Sequence, residues 1–263
     1  SRLDIEQATT MPFIGDVPKS VSNEAIISSS SRTSTAEALR IVRTNLEFLL
    51  NEVPEGVAKT IFLTSTFPKE GKTFISVNLA SIIALSDKKV LLLGLDIRNP
   101  KLEEYLDVPK VGVTNYLASK DHKNSADFLT KVEGFSNFYV MPAGVIPPNP
   151  AELLMGKKVG ELFEKLKQEF DYIIVDTAPV SLVTDTLLIS KYADAFVYVT
   201  RANYLDKRML TLPEKLYQEK KLPNMSILIN DTDSTKGYGY GYGYGYGYGV
   251  EVEKKSFWKR FLK

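Results

Sequence analysis

At 263 residues, 44% hydrophobic and 25% charged, the chain has the balance of a soluble globular protein and room for one full α/β domain rather than two. A net charge of +1 gives no reason to expect nucleic acid as the main partner, and the lack of cysteine excludes disulfides and thiolate metal sites, which suits a reducing compartment. No apolar run approaches membrane-spanning length, and the single histidine, His122, sits in a polar stretch that reads as a solvated loop rather than part of a catalytic triad.

In chain order, residues 1–34 carry little periodic pattern. Thr10 to Pro18 reads as an extended segment bounded by prolines, and Ser28 to Ser34 as a serine-rich linker. A capping signal at Ser34-Thr35-Ala36-Glu37 then opens a helix through Leu50. Glu37, Arg40 and Arg43 recur every three residues and share one face of it, which by itself reads as a solvated charged surface.

The stretch Ile61 to Thr73 is the most informative. An apolar strand enters a short loop containing Pro68 and Gly71, and Gly71-Lys72-Thr73 opens a helical pattern that runs to Leu85. Strand, loop and helix in this order make a phosphate-binding P-loop: helix-start amides face the anion, Lys72 reaches the outer phosphates, and the Thr73 hydroxyl is a Mg²⁺ ligand. Thr66 stands where the usual pattern begins with glycine, and its side chain is expected to crowd the start of the loop.

Beyond it, Lys89 to Arg98 is an apolar strand ending in Asp96 and Arg98, and Asp171 to Pro179 is another ending in Asp176. Further strands are expected at 137–141, 195–200 and 225–230. Helices are expected at 113–117, 151–155, 159–169, 184–192 and 205–220. This alternation predicts an α/β fold of the P-loop NTPase-like kind: a mainly parallel sheet covered by helices on both faces, with ligands at the carboxyl edge of the strands. Lys72, Asp96 and Asp176 are expected to meet at that edge.

From Gly237 onward, Tyr238, Tyr240, Tyr242, Tyr244, Tyr246 and Tyr248 alternate with glycine, a composition expected of a flexible arm rather than a strand. Counted from Asn230 to Gly249, such a coil spans ~25 Å on average and about 60 Å stretched, enough to bring a phenol to an active site. The terminal Lys254 to Lys263 mixes cations with aromatics, which suits an anionic membrane surface or a frayed terminus.

Together these stretches resemble the bacterial tyrosine kinases that control export of capsular and extracellular polysaccharide. Pro68 to Thr73 is similar to their Walker A motif, Leu91 to Arg98 to Walker A′, and Ile173 to Pro179 to Walker B. Glu37-x-x-Arg40-x-x-Arg43 resembles the helix that mediates their ring-like self-assembly, and the tyrosine cluster resembles their autophosphorylation target. Two departures stand out. Gly94 replaces the first of the two usual Walker A′ acids. Phe67 stands where the MinD/ParA-like ATPases carry a signature lysine, which argues against that group.

The resemblance implies three regions: an extended juxtamembrane segment (1–34), the kinase domain (35–235) and the tail (236–263). It further implies the cytoplasmic part of an inner-membrane protein, cut from a longer chain and working with its own transmembrane and periplasmic part and the export machinery. ATP and Mg²⁺ are the implied cofactors. Pro68, Lys69, Glu70, Gly71, Lys72, Thr73 and Phe74 are expected to surround the nucleotide, with Asn230 at adenine. Thr73, Asp96 and Asp176 are expected around the metal. Asp96 is placed to orient or deprotonate the phenol, and Arg98 either supplies a cation there or pairs with a neighbouring carboxylate. A P-loop ATPase switch and a non-catalytic nucleotide-binding assembly regulator remain as other readings.

Overall fold

The computed structural model describes residues 1–20, 26–119 and 124–233; His122, the tyrosine cluster and the terminal cations lie outside them. Eight strands form one sheet: β1 (Phe13–Pro18), β2 (Lys59–Ser65), β3 (Val90–Leu95), β4 (Thr130–Lys131), β5 (Phe138–Met141), β6 (Tyr172–Thr177), β7 (Ala195–Arg201) and β8 (Met225–Thr232). Their order is β1-β8-β7-β2-β6-β3-β5-β4, parallel throughout except for the short β4 against β5. The apolar runs at the centre form strands because both faces are covered: β3 and β6 are buried at every residue.

Side-chain alternation divides these strands between two cores. Ile61 and Leu63 of β2 join Leu92, Ile174 and Val197 beneath α2 (Ser34–Leu49) and α3 (Lys72–Ala84). Phe62 points the other way, with Leu91, Val175 and Phe196, toward α6 (Lys157–Glu169) and the shorter helices α4 (Val113–Ala118), α5 (Pro150–Met155), α7 (Asp185–Ile189) and α8 (Thr211–Gln218). The helix expected over 205–220 is divided. A 3₁₀ turn at Lys207–Leu210 precedes α8, and Pro213 falls in the first turn of α8, where a missing N–H costs no helical bond.

The N-terminal segment departs from the extended form expected of it. Arg2–Ala8 is a helix, α1, started by a capping box between Ser1 and Asp4 and held by one buried apolar residue, Ile5; its apolar Leu3, Ile5 and Ala8 make no clear helical period. Phe13–Pro18 is extended, and it adds a parallel edge strand beside β8. An edge tolerates proline because one side of the strand needs no ladder donor. Gly15 belongs there on steric grounds: a Cβ would sit 2.9 Å from Val42 Cγ2 of α2.

Phe62 is fully buried, with its ring 5.8 Å from Phe163 and 5.2 Å from Phe196. Phe62→Ala is expected to cost about 3–5 kcal/mol, seen as a lower urea midpoint at unchanged slope.

Candidate functional site

The carboxyl ends of β2, β3 and β6 border a cavity of ≈ 370 Å³ lined by the loop after β2, by Asp96, Arg98 and Tyr105, and by Ala178, Pro179, Leu182 and Val183. The 66–73 loop turns through left-handed backbone at Lys69 (φ 70) and Gly71 (φ 88). At Gly71 a Cβ would lie 1.9 Å from Asn230 Nδ2, so position 71 accepts only glycine. Asn230, expected at adenine, lies against this loop, its Nδ2 donating to the Glu70 carbonyl at 3.0 Å. Phe74 packs its ring 6.3 Å from that of Tyr105. Thr66 does not crowd the loop as expected. Its hydroxyl turns away into the core and shares a hydrogen bond with Tyr198 at 2.9 Å.

α3 begins at Lys72 and carries its side chain to the neighbouring strand end. Lys72 Nζ donates to Asp176 Oδ1 at 2.6 Å and lies 3.8 Å from Asp96 Oδ2. Thr73 Oγ1 donates to Asp176 Oδ2 at 2.8 Å, and Ser76 Oγ, one turn on, to Oδ1 at 3.2 Å. The acids come together because β3 and β6 are adjacent and parallel, with Gly94 opposite Asp176 and the Asp96 amide donating to the Asp176 carbonyl at 2.9 Å. Burial raises the Asp96 carboxyl above the ordinary range, the Lys72 charge opposes that rise, and Asp176 adds to it. Oxygen donors at Thr73 and Asp176 fit a hard cation that takes its remaining ligands from phosphate. Among the described residues no cluster of three or more His, Cys, Asp or Glu forms a separate metal cage.

A family model for the AAA domain matches residues 58–208. Tyrosine-protein kinase CpsD of Streptococcus pneumoniae is 33% identical over 177 residues, 66% of this chain and 77% of its own length. The chain belongs to the bacterial tyrosine kinases. Tyrosine-protein kinase ptk of Acinetobacter johnsonii is 32% identical over 249 residues, 89% of this chain and 33% of that protein, so this kinase spans about a third of that relative's length. The kinase domain of Escherichia coli tyrosine kinase ETK superposes with a TM-score of 0.79 at 27% identity, covering 93% of this chain and 99% of that one.

At Gly94, where the resemblance leads one to expect an acid, the fold leaves no room for a side chain. A Cβ at Gly94 would lie 2.9 Å from the Ala143 amide nitrogen and 3.0 Å from Leu102 Cδ1, so a carboxylate there would displace the 142–143 backbone. Arg98 takes the carboxylate pairing, with Asp185. On α2, Arg40 pairs with Glu37 and donates to the Ser31 carbonyl, while Arg43 donates to Ser86 of its own chain. No helix among the described residues is long and apolar enough to cross a membrane.

Several residues that hold the P-loop were not anticipated. Arg201, paired with Asp231 at 2.8 Å, donates to the Lys69 carbonyl at 3.1 Å, and the Tyr204 hydroxyl donates to the Pro68 carbonyl at 3.0 Å. For Arg201 a signal was present: like Asp96 and Asp176, it is a charge closing an apolar strand. Ser76, a serine inside a helix, gave none.

Glu70 is wholly buried inside the loop, its carboxylate accepting from the Phe67 amide at 2.7 Å. Burial lifts its pKa from 4.5 to about 7. The folded protein therefore keeps a proton that the unfolded chain releases near pH 4.5, and this contribution to stability is lost as pH rises toward 7. Glu70→Gln lacks that titration. The stability of wild type relative to Glu70→Gln should fall by about 3 kcal/mol between acid and mildly alkaline pH, measured by urea unfolding across that range.

Proposed function

We propose that this kinase transfers the γ-phosphoryl group of ATP to tyrosines of its own C-terminal cluster, Tyr238 to Tyr248. The observation that carries the reading is the meeting of Lys72, Thr73, Asp96 and Asp176 in one cleft, with separations of 2.6 to 3.8 Å from Lys72 Nζ to the two acids. Phosphoryl transfer asks mainly for positioning and for neutralisation of phosphate charge. The loop amides from Lys69 to Phe74 and the Lys72 ammonium hold the β- and γ-phosphates, with Asn230 bracing the loop through its bond to the Glu70 carbonyl. Mg²⁺ held by Thr73 and Asp176, with Asp96 nearby, would supply positive charge at the phosphate oxygens. Asp96 orients the incoming phenol and takes its proton; a carboxyl lifted by burial is a better base than an ordinary one.

The proposal extends to the protein from which this chain comes. It would sit in the inner membrane with this domain on the cytoplasmic side and regulate synthesis and export of capsular or extracellular polysaccharide. Subunits would associate through the α2 face of Glu37, Arg40 and Arg43, presenting each tail to a neighbouring site. Each phosphate adds close to two negative charges, so a modified tail repels itself and loosens the assembly. Gly94 favours one other reading, a P-loop ATPase in which the lone Asp96 serves water rather than a phenol. Phosphate release without phosphotyrosine would select it.

Incubation with ATP and Mg²⁺ should place phosphotyrosine within residues 238–248, read by mass spectrometry, and Lys72→Met should reduce it at least 100-fold, a loss of roughly 3 kcal/mol of transition-state stabilisation. Retained phosphorylation in Lys72→Met would remove the P-loop from the chemistry. Arg40→Ala/Arg43→Ala should lower the mass found by light scattering to that of the monomer, and an unchanged mass would rule out the α2 contact.

A further inference from the structure

Asp185 is a buried acid that the phosphoryl-transfer scheme leaves unused. It opens α7, is 1% exposed, and gives both carboxylate oxygens to one guanidinium. Arg98 Nε donates to Oδ2 at 2.7 Å and Nη2 to Oδ1 at 3.0 Å. A carboxylate at that depth is costly unless both oxygens are satisfied, and the two-pronged arginine contact fixes direction as well as charge. The pair ties together two connections that leave different strands. Arg98 lies two residues beyond Asp96, after β3, and Asp185 lies nine residues beyond Asp176, after β6.

The chain from Asp96 to Asn99 closes on itself, the Asn99 amide donating to Asp96 Oδ1 at 3.2 Å. That bond leaves Oδ2 as the oxygen turned toward Lys72, 3.8 Å away. Arg98 is inside this turn, so anchoring its side chain holds the turn. With Gly94 in place of a second acid, the aim of a single carboxylate decides the geometry on the β3 side.

We propose that Asp185 is a positioning residue, which through Arg98 sets the direction of the Asp96 oxygen that faces Lys72 at the phosphoryl-transfer site. What Asp96 does there rests on the kinase reading above; where it stands does not. Misplacing a reacting group by about 1 Å costs up to ~10²-fold in rate. Asp96 keeps its backbone bond to Asp176 in any variant, so a smaller loss of roughly tenfold is expected.

The test uses the whole 263-residue chain with ATP and Mg²⁺. Initial rates of tail phosphorylation are followed against ATP concentration for wild type, Asp185→Asn and the double variant Arg98→Met/Asp185→Leu. The double variant removes both charges together and so keeps the fold if the single one loses it. Maximal rate should fall roughly tenfold in each, by the same factor rather than by a product of two, while half-saturating ATP stays within about twofold. Hydrogen exchange at the Asn99 amide should quicken roughly tenfold, with β2 and β6 amides as protected as in wild type. An unchanged maximal rate in either folded variant, a rise in half-saturating ATP alone, or an Asn99 amide as slow as in wild type would overturn the assignment. If wild type makes no phosphotyrosine, the kinase reading falls separately, and the Asn99 amide still decides whether Asp185 holds the turn.

Discussion

Everything at the carboxyl edge depends on one buried ammonium. Lys72 is 6% exposed, and burying an ammonium is costly unless acids meet its charge. Asp176, also buried, is bonded by Lys72, Thr73 and Ser76, so its own charge is met by three donors from one helix. The arrangement requires α3 to start immediately beside the end of β6, which the β2-loop-α3 connection provides. Exchange of Lys72 for an apolar residue would leave the Asp176 charge buried without its cation, which is far more costly than losing an ordinary contact.

Glycine decides how closely the surrounding pieces approach. At Gly71 the side-chain amide of Asn230 occupies the space of a Cβ, which lets β8 brace the loop from behind. At Gly94 it is the backbone of residues 142–143 that fills the space. The same steric logic thus produces one feature shared with the family pattern and one departure from it. The departure leaves Asp96 as the acid of that strand, and Arg98 and Asp185 gain their importance from it.

The central strands and the P-loop were legible because their signals are local: unbroken apolar runs, a glycine-lysine-threonine helix start, and a charge at the end of β3, β6 and β7. The meeting place of Lys72, Asp96 and Asp176 followed from the alternation of strands and helices, which puts strand ends at one edge. α1 and β1 were not legible as elements, since one has a single buried apolar residue and the other is interrupted by Gly15 and bounded by prolines that only an edge position tolerates. Asp185 was hidden for another reason. An acid in the first turn of a helix is ordinary, and its meaning comes from an arginine 87 positions earlier in the chain. The Arg43 contact with Ser86 within the same chain was likewise not legible from spacing.

The depth of the Lys72 cluster separates it from the charges on α2. Glu37 lies 62% open to solvent and its pair with Arg40 feels the surrounding electrolyte, whose screening length shrinks from ~8 Å at physiological ionic strength to about 3 Å at 1 M. The buried pair of Lys72 and Asp176, 7% and 2% exposed, is screened much less. Electrolyte concentration is therefore a dial that turns the surface of this domain while leaving its interior chemistry where it was.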